Sequence, residues 1–77
     1  MARLILTFET LHKVLAAEKA LRADQTRSFL CRPTPTPPGL SESICGMSIE
    51  VLELERREEV LTFLQQQDLS PTGVHEL

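Results

Sequence analysis

Apolar and polar positions alternate along this chain in two different rhythms, and the switches between them mark out the elements. Leu4 to Phe8 is a short, nearly continuous apolar run rich in strand-favouring residues, the pattern of a central strand. Thr10 then offers a hydroxyl to the exposed backbone N–H groups of a helix's first turn. Leu11, Val14, Leu15 and Leu21 follow at helical spacing, with Ala16, Ala17 and Ala20 supporting the same helix. Glu18 and Arg22 form a favourable pair one turn apart, and Asp24-Gln25 ends the helix.

Residues 27–32 predict a second strand, with Phe29 and Cys31 on one face and Ser28, Leu30 and Arg32 on the other. Residues 33–43 predict a stiff, extended Pro/Ser-rich loop, because the prolines from Pro33 to Pro38 discourage both ladder and helix. Met47, Ile49 and Val51 alternate with Ser48 and Glu50, the clearest two-residue period in the chain. Glu53 to Gln67 predicts a second helix with Leu54, Val60, Leu61 and Leu64 on its inner stripe and acids favouring its N-terminal half. Ser70 to Gly73 is a turn, and Val74 to Leu77 reads as a short edge strand or a frayed tail. The order βαββα(β) predicts an α+β, ferredoxin-like two-layer sandwich with two helices on one face of an antiparallel-containing sheet.

Length permits one domain, residues 1–77, with no room for a second core. The chain is 42% hydrophobic but has no Trp or Tyr and only three Phe, so the core is aliphatic. Net charge is −3, with six Lys/Arg against four Asp/Glu in residues 1–44 and two against seven in residues 45–77. That balance, without a basic cluster beyond Arg56-Arg57 or a stacking platform, argues against nucleic acid. No apolar run approaches the roughly 20 residues needed to span a bilayer, and the N-terminal segment is too short and too soon amphipathic for a signal peptide. A cytoplasmic location is expected, where two cysteines stay free.

Cys45-Gly46 stands out, placed between the proline-rich loop and a hydrophobic strand. A thiol at the mouth of a strand, beside a residue that leaves it accessible, suits sulfur chemistry. The plainer reading is that a free Cys packs as a small hydrophobe. The fold discriminates between them. It brings the end of strand one, the start of helix one, the end of strand two and the start of strand three to one edge. Phe8, Thr10 to His12, Cys31 and Cys45 are expected there. A helix N-terminus or a protonated His favours a nearby thiolate, so Thr10 and His12 are candidate tuning groups for Cys45, although His12 also reads as an ordinary surface histidine. Cys31 alternates with Phe29 toward the core. It reads as a buried hydrophobe, as a resolving thiol that attacks an oxidised or persulfidated Cys45, or as a second metal ligand. Neither CxxC nor HxxxH spacing occurs, so no metal site and no cofactor are expected. His75, near the terminus, receives no role.

Several of these segments together resemble the selenium/sulfur carrier-like family of small Cys-Gly proteins. They are the stretch Leu6 to Thr10, the helix His12 to Leu21 with its Ala17-Glu18-Lys19 core, the Pro-bearing Arg32 to Pro38, Ser41 to Ser43, and Cys45-Gly46 before a hydrophobic strand. The resemblance runs from about residue 3 to residue 64. It implies a carrier rather than a turnover enzyme, holding sulfane sulfur or selenium on Cys45 as a persulfide or perselenide. Its partners are then the donor and acceptor proteins of that transfer. Two departures stand out: Ile44 occupies a place where Ser or another small residue is usual, and Cys31 lies outside the motif. Two other classes remain beside the carrier: a protein-interaction or regulatory module with incidental cysteines, and a thiol metal chaperone using Cys45 with Cys31 or His12. An exposed sheet face or edge in so small a domain also invites pairing into a homodimer.

Overall fold

The computed structural model describes residues 3–37, 39 and 46–77. Its elements are β1 (Leu4–Thr7), α1 (Leu11–Ala23), β2 (Cys31–Pro35), β3 (Met47–Val51), a 3-10 turn (Leu54–Arg56), α2 (Arg57–Gln66) and β4 (Gly73–Glu76). The strands form one sheet in the order β2-β3-β1-β4, every adjacent pair antiparallel. The split βαβ arrangement follows, an α+β sandwich of ferredoxin-like topology. Residues 73–76 are the second edge strand rather than a frayed tail, tied to Arg3 by paired Arg3–Leu77 backbone bonds of 2.8 Å.

One face of the sheet carries the core. Leu4, Leu6, Phe8, Ile49 and Val51 pack with Val14, Ala17 and Leu21 of α1 and Val60, Phe63 and Leu64 of α2. Each large aliphatic side chain fully withdrawn from water contributes about 1.5–3 kcal/mol. The inner stripe of α1 is Val14-Ala17-Leu21, not the Leu11-Leu15 line that size alone favours. Leu11 and Leu15 are 50% and 54% exposed. Successive helical residues turn by about 100°, so Leu15 points well away from Val14, and the small Ala17 sits at the contact instead. The helix expected over 53–67 is a 3-10 turn followed by α2; Phe63 joins the stripe of α2, while Leu61 and, in the 3-10 turn, Leu54 pack at its margin.

β2 begins four residues later than the alternation at 27–32 predicts. Asp24 accepts from the Arg27 backbone N–H (3.0 Å) through its carboxylate and from Ser28 N–H (3.1 Å) through its carbonyl, which holds residues 25–28 in a turn. Ser28 has φ 52°. Phe29 is buried against Phe63 with ring centroids 5.3 Å apart, and the Arg56 guanidinium lies 4.6 Å from the Phe29 ring centre.

The strand then runs through Pro33 and Pro35, which the sequence pattern assigned to the 33–43 loop. Ladder parity explains it. Leu52 N–H donates to Leu30 and Thr36 N–H to Gly46, both at 2.9 Å, so the even-numbered residues of β2 face β3 with their hydrogen-bonding groups. Pro33 and Pro35 fall on the odd positions, where the missing N–H would point away from the sheet. On an edge strand that arrangement costs no ladder bond.

α2 ends in a Schellman motif. Asp68 takes φ 58°, its N–H donates to Gln65 O (3.1 Å), and Leu69 N–H donates to Leu64 O (2.9 Å). The reversal delivers the chain to β4.

Candidate functional site

Register defines what meets at the end of the sheet where β1 and β2 finish and β3 starts. Thr7 pairs with Ser48, Thr34 with Ser48, and Pro35 with Met47. Beyond that, the Gly46 carbonyl accepts from Thr36 N–H. Phe8 and the first turn of α1 follow directly from β1 at this end, and α1 packs over β2 and β3. Phe8, Thr10, His12 and Gly46 therefore share one end of the molecule. Cys45 itself lies outside the described residues, as do Ser41 to Ile44.

Each neighbour of that end has its own chemistry. The Thr10 hydroxyl accepts from Lys13 N–H at 3.2 Å, so its oxygen caps α1. His12 is solvent-exposed on the first turn, where the partial positive charge of the helix end is concentrated. Gly46 is exposed, and a Cβ built on it meets no atom within 4 Å.

Cys31 is placed differently from the sequence expectation. It opens β2 instead of closing the second strand, and its Cα partner is Val51. It stands at the opposite end of the β2–β3 ladder from Gly46. The four-residue displacement of the strand is the physical reason. Its side chain is half-buried against the core cluster. Burial pushes the thiol up from its ordinary range and the Glu18 carboxylate adds to this, opposed in part by Arg22. Cys31 is thus a thiol favoured in its protonated form.

The helix-free face of the sheet carries a polar constellation that sequence spacing did not single out. Glu50 is only 6% exposed, yet accepts from Arg3 Nε (3.2 Å) and Nη2 (3.1 Å) and from Arg32 Nε (3.2 Å) and Nη2 (3.0 Å). One step along, Thr34, Ser48 and Thr7 form a cross-strand row of buried hydroxyls. The Ser48 and Thr36 hydroxyls are 2.6 Å apart, and His75 Nε2 lies 3.4 Å from the Thr7 hydroxyl. The available signal was the alternation Arg32-x-Thr34-x-Thr36 opposite Ser48-x-Glu50, but only the register shows that these residues meet. The result is a face with two guanidiniums around one carboxylate and a hydroxyl row leading toward Gly46.

Among the described residues, no group of three or more His, Cys, Asp or Glu side chains could hold a metal ion, and no helix is long and apolar enough to cross a membrane. A hollow of about 320 Å³ lies between Arg27 and the Glu58, Glu59, Thr62, Phe63 and Gln66 side of α2. It contains none of the residues singled out from sequence.

Residues 3–76 match the family described as "Putative Se/S carrier protein-like". The chain belongs to that family. The match covers every element of the fold, β4 and the end of α2 included, and so extends past residue 64, where the recognisable motifs end. No curated protein and no solved structure matches the chain.

Proposed function

We propose that this protein is a cytoplasmic sulfur or selenium carrier that uses Cys45 as its cargo-bearing thiol. The observation that carries the reading is the family match over residues 3–76. In the proposed cycle the Cys45 thiolate attacks the sulfane sulfur of a donor persulfide. A new S–S bond forms, the donor's S–S bond breaks, and the donor leaves as a thiolate. Cys45 then holds the sulfur, or selenium by the same step, for delivery to an acceptor protein. Such chemistry needs one accessible thiolate and an electropositive neighbour rather than an enclosed substrate pocket. The exposed Gly46 and the first turn of α1, with His12, share the end of the sheet at which β3 begins and support this role.

The test is the pH dependence of Cys45 alkylation in a Cys31→Ser chain, with intact-mass analysis after incubation with a polysulfide or its selenium counterpart as a donor of zero-valent sulfur or selenium. A thiol pKa well below the reference of about 8.5, together with a retained sulfur or selenium atom that Cys45→Ala abolishes, is the expected result. A slow, unperturbed thiol that takes up nothing would sink the reading. The exposed pair Leu11 and Leu15 on α1 then favours the second reading, a protein-interaction module with incidental cysteines.

A further inference from the structure

Sulfur held on one cysteine can leave by two routes. A second thiol of the same chain can attack it, or a nucleophile brought by another molecule can. The two routes differ in a distance that the β2–β3 ladder fixes.

Thr36, whose N–H donates to Gly46 O, lies five residues beyond Cys31 on the same extended segment. At a rise of about 3.3 Å per residue this separates the level of Gly46 from Cys31 by about 16 Å. That spacing at Gly46 far exceeds the about 4.4–6.8 Å between Cα atoms of a disulfide plus one residue step of about 3.8 Å. The Cys31 side chain also packs on the helix-covered face, against the core and across from Val51.

We infer that the carrier discharges only between molecules: the acceptor supplies its own thiolate, and Cys31 is not a resolving cysteine. This rests on the carrier reading of Cys45. In the step, an acceptor thiolate attacks the outer sulfur of the Cys45 persulfide. The acceptor–sulfur bond forms as the Cys45 S–S bond breaks, and the electron pair leaves on Cys45 as thiolate. The proton of the outer sulfur travels with it, and no external oxidant or reductant is consumed. The acceptor in this step is a thiol compound from outside the chain, a protein or a small molecule.

Two measurements test this. First, the dilute wild-type protein is oxidised with diamide and its disulfides are mapped by peptide mass. No Cys31–Cys45 bond within one chain is expected, and such a bond in quantity overturns the inference alone. Second, protein loaded from a polysulfide donor is discharged with free cysteine, comparing wild type with Cys31→Ser. Equal rates, within about twofold, are expected; a tenfold loss in the variant overturns the inference. A chain that never loads overturns the carrier reading and the inference with it, while the disulfide map still reports the separation.

Discussion

Glu50 and Arg3, 47 residues apart in sequence, form a bidentate pair on the helix-free face, Arg3 Nε and Nη2 reaching the two carboxylate oxygens at 3.2 and 3.1 Å. The Arg3 hydrogen bonds chiefly hold the Glu50 carboxyl below its usual range, with Arg32 assisting, against the opposing effect of burial. A carboxylate depressed in the folded state adds stability above its unfolded pKa, about 4.3. That stability is lost as pH falls through the lower folded value. Glu50→Gln is therefore expected to be less stable than wild type at pH 7 by about 1–2 kcal/mol, since the guanidiniums are partly solvated. The gap should narrow as pH falls through the unfolded value and close once pH is below the folded one. Urea midpoints across pH check this, and a gap constant with pH would contradict it.

Gly73 allows Thr7 and His75 to approach each other. A Cβ there would lie 2.6 Å from His75 Nε2 and 2.7 Å from the Thr7 hydroxyl. His75 can swing aside, but Thr7 is buried on a central strand. Gly73→Ala should cost about 1–3 kcal/mol. Adding His75→Ala should recover only part of it, because the Thr7 clash remains. Thermal unfolding of the single and double variants decides, and full recovery would show that Thr7 moves freely.

Asp68 occupies the left-handed C′ position of α2, where its side chain is strained and glycine is not. Asp68→Gly should stabilise the protein by about 0.5–1 kcal/mol, read as a higher denaturant midpoint at an unchanged slope.

Pro33 and Pro35 leave the outer edge of β2 with few donors, so a second chain cannot readily extend the sheet there. Replacing both by Thr should leave the monomer fold intact, since no ladder bond depends on them. Self-association should rise with concentration, as sedimentation would show. Unfolding of the double variant would instead mean that the proline φ restriction holds β2 in place.

Much of this architecture is legible in the residues. The unbroken Leu4 to Phe8 run and the alternation from Met47 to Val51 mark the two central strands, and the Thr10 cap is found where expected. What misled was treating proline as a universal strand breaker. On an edge strand, prolines in phase with the outward positions are harmless, but no local pattern states which strand lies at an edge. That single shift moved Cys31 from one end of the sheet to the other. Size misled similarly in α1, where Ala17 rather than Leu15 meets the sheet. The Arg3–Glu50–Arg32 cluster was hidden because it exists only through register. Cys45-Gly46 was visible as a motif, its chemistry depending on neighbours that sequence order does not supply.

Cys31 is a sheltered thiol position to test by reactivity. It is half-buried against the core, its thiol is pushed up by burial and by Glu18, and it offers little thiolate near neutrality. Alkylation needs both thiolate and access. In a Cys45→Ser chain at pH 7, Cys31 should therefore react with a disulfide reagent at least about tenfold more slowly than a free thiol near the reference pKa. The difference should vanish in denaturing urea, which removes burial and the Glu18 field together. Native reaction at the free-thiol rate would mean that β2 opens at its Cys31 end faster than the reagent attacks. The start of that strand would then be a weak point of the fold rather than part of its core.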